Sequence, residues 1–211
     1  AQDSLPVYVA READTPVVEW GYHILDEYET RLFSIPGEGA APSLILFDGK
    51  NENGRVLKEG RYFIQYYEQY EHGNKPMASE EFYIDVSRPK IDLMISNRVI
   101  SPNTDGYKDF TVFNYTADEE VTWSGTIYDE RGGIVRQADS STRIEPLTWN
   151  GFNTEGTLLK DGRYYLTAKF TDLAGNSRDF TNMLLTIDAR NFPLIVKTSR
   201  AFSPNGDGKE E

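Results

Sequence analysis

Sixteen residues of this chain are written twice. The segment Asp48-Gly-Lys-Asn-Glu-Asn-Gly54-Arg-Val-Leu-Lys-Glu-Gly60-Arg-Tyr62-Phe63 recurs as Asn150-Gly-Phe-Asn-Thr-Glu-Gly156-Thr-Leu-Leu-Lys-Asp-Gly162-Arg-Tyr164-Tyr165. Gly49, Gly54, Gly60 and Tyr62 each have a twin 102 residues downstream. Four anchors in one register imply duplication, and a period of that length is the size of a small domain. Each copy must then close a hydrophobic interior of its own.

The match extends on both sides. Trp20 and Ile24-Leu-Asp26 parallel Trp123 and Ile127-Tyr-Asp129 at a spacing of 103, a drift that surface loops absorb. Ile100-Ser-Pro-Asn-Thr-Asp-Gly106-Tyr-Lys-Asp109 returns as Phe202-Ser-Pro-Asn-Gly-Asp-Gly208-Lys-Glu-Glu211. The expected organisation is one module over 1–88, a second over 89–190, and the opening strand and loop of a third over 191–211. The chain then reads as a piece of a longer protein. The first copy lacks a counterpart of the Ser-Pro-Asn loop and is expected to lack its first strand.

Short runs with period-two alternation point to strands at 91–95, 110–115, 121–128, 134–137, 147–149, 164–170 and 183–187, separated by polar or glycine turns. No window carries a helical stripe of 12 residues or more. Seven short strands per hundred residues predict an all-β fold, two tandem immunoglobulin- or fibronectin-III-like β-sandwich modules, with a small closed barrel as the alternative. Tyr164, Leu166, Ala168 and Phe170 should face inward, as should Tyr62, Ile64 and Tyr66. Leu159-Lys-Asp-Gly-Arg-Tyr164 resembles the tyrosine corner of immunoglobulin folds. Trp20 and Trp123 read as core residues.

Composition narrows the partners. A net charge of −12 opposes nucleic acid, whose phosphates need clustered Lys and Arg, and anionic membrane surfaces. Without cysteine there are no disulfides or thiolate sites. No apolar run approaches the roughly 20 residues of a membrane-spanning helix, so direct insertion is not expected. The only histidines, His23 and His72, have no twins in the second copy and read as surface groups. No nucleophile elbow, phosphate loop or zinc-protease motif occurs.

Taken in order, Ser101-Pro-Asn-Thr-Asp-Gly106, Ile127-Tyr-Asp-Glu-Arg-Gly-Gly-Ile-Val-Arg136, Trp149-Asn-Gly-Phe-Asn-Thr-Glu-Gly156 and Asp161-Gly-Arg-Tyr164 resemble the immunoglobulin-like domain of the flagellar hook-capping (FlgD-type) family and its tandem relatives in bacterial envelope and surface proteins. The resemblance covers the second copy in full. In the first, Leu46-Phe47-Asp48-Gly49 replaces Trp149-Asn150-Gly151. It implies a spacer or adhesive module, not a flagellar role.

One constellation invites chemistry. Asn103, Asp105 and Asp109, echoed by Asn205, Asp207 and Glu211, place oxygens around a glycine turn as in part of a calcium loop. The same residues also suit an Asx-type turn, in which side-chain oxygens bond their own backbone. A second cluster, Asp48, Asn51 and Asn53 with its twin Asn150, Asn153 and Glu155, reads as hairpin punctuation. The functional expectation is a non-catalytic structural or spacer segment of an extracytoplasmic bacterial protein, in the periplasm or on the cell surface, with neighbouring modules of its own chain as partners. The alternatives are an adhesin module for a glycan or host surface protein, and accessory modules of a larger envelope enzyme.

Overall fold

The structure, a computed structural model, describes residues 4–10, 16–40, 42–140, 147–190 and 195–197. Among them the chain forms fourteen strands and no helix. The expected third copy (191–211) lies outside the described residues apart from 195–197, which form no strand.

The first half contributes β1 (Leu5–Tyr8), β2 (Val17–Asp26), β3 (Arg31–Glu38), β4 (Leu44–Phe47), β5 (Gly60–Tyr70) and β6 (Met77–Ile84). They form a four-stranded sheet, β3-β2-β5-β6, and a two-stranded one, β1-β4. The second half contributes β7 (Ile91–Ile95), β8 (Val99–Ile100), β9 (Thr111–Ala117), β10 (Val121–Asp129), β11 (Ile134–Ser140), β12 (Leu147–Trp149), β13 (Gly162–Asp172) and β14 (Ser177–Ile187). Here the sheets are β11-β10-β13-β14-β8 and β12-β9-β7. Among the described residues no strand of one half pairs with a strand of the other. The fold is two tandem immunoglobulin/fibronectin-III-like β-sandwiches. The seven expected strands of the second copy are present, with β8 as an eighth that joins β14 in parallel at Thr186↔Val99 and Ile187↔Ile100.

Alternation decides which face is buried. On β13, Tyr164, Leu166, Ala168 and Phe170 are all at most 6% exposed, while Tyr165, Thr167 and Lys169 point outward. Ile127 of β10 lies opposite Leu166, and Ile24 of β2 opposite Ile64 of β5, so one cross-strand pair recurs in both copies. The facing sheet closes each core: Phe113 and Trp149 in the second copy, Ile45 and Phe47 in the first. The tyrosine corner is present twice. The Tyr62 hydroxyl donates to the Lys58 carbonyl and the Tyr164 hydroxyl to the Lys160 carbonyl, both at 2.8 Å.

The tryptophans need a correction. Trp20 and Trp123 are half-buried at the margins of their clusters, and the fully buried indole is Trp149, at 1% exposure, with Phe47 at the matching place in the first copy. Trp20 spreads over Gly37, its partner on β3; a Cβ there would lie 2.1 Å from the ring, so the indole takes the space a side chain would need.

Trp149→Ala should cost about 3–5 kcal/mol, the range for a large buried aromatic. Because the cores are separate, calorimetry should show only the second module's transition moving down and the first module's left in place.

Candidate functional site

The Ser-Pro-Asn loop between β8 and β9 is knotted by its own side chains. Asp109 accepts backbone N–H groups at both oxygens: Thr104 at 2.8 Å and Asn103 at 3.2 Å on Oδ1, and Gly106 at 2.8 Å on Oδ2. Asp105 takes the Tyr107 N–H at 2.8 Å and the Asn103 side-chain amide at 2.9 Å, and these bonds hold its carboxyl below the usual range. Asn103 Oδ1 accepts the Asp105 N–H at 3.0 Å. Asn103, Asp105 and Asp109 are therefore brought together, each with a backbone donor already in hand. Gly106 has φ +85, a backbone that other side chains rarely adopt. Asn205, Asp207 and Glu211 lie outside the described residues.

The second cluster holds two Asx turns with the same pattern of hydrogen bonds. Asn51 Oδ1 accepts the N–H groups of Asn53 and Arg55, both at 3.0 Å, and Asn153 Oδ1 those of Glu155 and Thr157 at 3.1 and 2.8 Å. Asp48 instead grips Lys50 at 2.7 Å.

The histidines do not form a site. His72 is exposed. His23 is half-buried rather than a surface group, because on β2 it sits beside the Tyr67 ring of β5, 5.4 Å between centroids, and 2.8 Å from the Ser34 hydroxyl of β3. Burial, then Arg31 and Lys75, push its pKa down.

What the sequence reading missed lies between the modules. The β13–β14 turn is closed by Asp172, whose Oδ1 accepts the Asn176 N–H at 2.8 Å. Asn176 then donates its side-chain amide to the Asp85 carbonyl at 3.1 Å, in the segment joining β6 to β7. One carboxylate oxygen from each of Asp85, Glu119 and Asp172 lies within 4.8 Å of the other two. Slight desolvation at its exposed position, then the charges of Asp172, Asp85, Asp118 and Glu59, push the Glu119 carboxyl up. A signal existed: Asp85 and Asp188 close their copies at the same place, directly after Ile84 and Ile187. Asp188 is instead held at about 2 by Arg190, which binds it in a fork at 2.6 and 2.7 Å.

Residues 93–185, from within β7 to within β14, match the family model of the CHU_C type IX secretion signal domain. That match sets the chain outside the cytoplasm, as part of a secreted or surface protein. None of the curated proteins compared matches it. Among solved structures, the chain is similar to the fibronectin(III)-like modules of Clostridium thermocellum CbhA, at 11% identity and TM-score 0.47, over 94% of this chain and 93% of that one. It is similar to dimeric latent PorU from Porphyromonas gingivalis at 15% identity and TM-score 0.38, over 70% of this chain but only 13% of that protein's length. A 1.5-MDa bacterial ice-binding adhesin aligns at 12% identity and TM-score 0.39, over 88% of this chain and 57% of that one.

Asp109→Ala orphans three loop N–H groups and should cost about 1–2 kcal/mol, near the lower half of the range for lost charged acceptors because the loop is half open to water. Asp109→Asn, which keeps one oxygen, should cost less. Urea midpoints that fall at constant slope would record both effects.

Proposed function

We infer that this chain is a non-catalytic spacer segment of a modular bacterial surface or secreted protein, built to hold its neighbours at a set distance. The observation that carries this reading is the junction. Only six residues separate β6 from β7. Within them Pro89 is fully buried and the Asp85 carbonyl is held by Asn176 of the following module. Proline fixes φ, and a linker anchored by the next module's turn cannot act as a free hinge. The motifs of the second copy support its placement among the FlgD-type tandem modules of envelope proteins.

A second reading has its own support. The match of 93–185 to a type IX secretion signal domain favours a role for the second module as an export address. The two roles are compatible in one chain, since one concerns the junction and the other the second module's surface.

The absence of cysteine makes the spacer reading simple to test. Spin labels at Ser79→Cys and Thr122→Cys, both exposed strand positions, should give one narrow distance distribution by double electron–electron resonance. A broad distribution overturns the stiff spacer. For the second reading, the chain fused behind a fluorescent reporter in a type IX-competent bacterium should reach the surface. Export that survives deletion of 93–185 overturns it.

A further inference from the structure

Asp85 follows β6, Glu119 sits in the turn between β9 and β10, and Asp172 ends β13, so three separate elements deliver three carboxylates to one point. Asp172 is 6% exposed. Its Oδ1 is bonded to Asn176, while its Oδ2 is sealed from solvent with no hydrogen-bond partner. A sealed carboxylate oxygen without a donor is costly unless positive charge reaches it. Among the described residues no ion pair supplies that charge to Asp85, Glu119 or Asp172. The nearby Lys90 is committed to Asp118, with its ammonium 3.5 Å from Oδ2. The neighbourhood adds negative charge instead, from Asp118 and Glu59.

We propose that Asp85, Glu119 and Asp172 form a calcium site that clamps the junction between the two modules. An ion bonded at about 2.4 Å holds opposite ligands about 4.8 Å apart, so oxygens no farther apart than 4.8 Å are close enough to share one calcium ion. Every ligand is a hard oxygen, with no imidazole or thiolate to favour zinc or copper. Asp85 Oδ1 and Asp172 Oδ1 each accept a backbone N–H, from Ser87 at 2.9 Å and Asn176 at 2.8 Å, which leaves up to four carboxylate oxygens for the ion, and water completes the usual six to eight. Magnesium, with shorter bonds and a strict octahedron, fits this spacing less well. The Ser-Pro-Asn loop contrasts with it, since all four carboxylate oxygens of Asp105 and Asp109 already accept N–H groups, three of them from the backbone and Asp105 Oδ2 from the Asn103 amide.

The repeat isolates the feature. In the first copy the same turn runs from Tyr70 through Gly73 to Asn74, with the Gly73 N–H on the Tyr70 carbonyl as the Gly175 N–H is on that of Asp172. The fold therefore accepts Tyr70 where the second copy has Asp172; the turn's backbone does not require the acid, and although Asp172 Oδ1 caps the turn, Oδ2 has no part in it. The site stands on this geometry whether or not the chain acts as a spacer.

The test is calcium titration of the whole chelator-stripped chain by calorimetry, alongside its melting temperature in EDTA and in 10 mM calcium chloride. The expected result is about one ion per chain, an affinity of about 10⁻⁴–10⁻³ M as in extracellular modules, and a raised melting temperature in calcium. Glu119→Gln, at an exposed position that endangers no core, should weaken binding at least tenfold. In EDTA it should melt at or above the parent, because it relieves repulsion. Asp109→Asn should leave calcium affinity unchanged. The proposal is overturned by no heat and no melting shift at 10 mM calcium, by magnesium binding as tightly as calcium, or by binding lost in Asp109→Asn yet kept in Glu119→Gln.

Discussion

A sheet has two faces, and a chain without helices can cover an apolar face only with another sheet. Everything else in this molecule follows from meeting that requirement twice within about a hundred residues each time. The point of closure is the aromatic under the tyrosine corner. In the second copy Trp149 meets Tyr164 edge-on, 5.6 Å between centroids, with Leu185 opposite Tyr164 on β14. In the first copy Phe47 holds the tryptophan's place and Phe82 that of the leucine, opposite Tyr62 on β6. Phe82 stacks on Tyr62 at 5.8 Å and meets Phe47 edge-on at 5.9 Å. A large–small pair has become a medium–medium pair. Volume is conserved across the contact while the identities change, as close packing requires.

Where the copies differ, the difference is in how much sheet each has. The second core is closed by three strands, β12-β9-β7, and the first by two, β1-β4. The first copy fills in with polar aromatics. Glu68, only 5% exposed, accepts the hydroxyls of Tyr66 at 2.6 Å and Tyr70 at 2.9 Å, so a buried acid is tolerated because its oxygens are bonded. On the other face of β5, Tyr67 is covered by the Lys75 ammonium, 4.0 Å from its ring. Both devices interrupt the simple alternation that the second copy keeps along β13.

The strands of the second copy were legible in the sequence because period-two alternation is a local property, and the turns because Asn, Asp and Gly act on their own backbone. Asn51 and Asn153 make the same turn from the same letters. The burial of the tryptophans was not legible. Trp123 and Trp149 sit on strands of similar character, and only the pairing of sheets puts Trp149 at the centre and Trp123 at the rim. β8 was missed for a related reason: a two-residue strand has no periodicity, and its bonds to β14 come from the far end of the module.

The junction acids were hidden for a different reason. Searching a duplicated sequence rewards what both copies share, and what both share is what the fold itself needs. A contact between copies is made once, by one end of one module and the other end of its neighbour, so it falls on residues whose twins do something else. Tyr70 bonds Glu68 where Asp172 faces Glu119, and Asp188 pairs with Arg190 where Asp85 faces Asp172. The positions at which the repeat fails are thus the informative ones. In a tandem protein the shared residues describe the module, and an acid such as Asp172, where the other copy has Tyr70, describes what happens between modules.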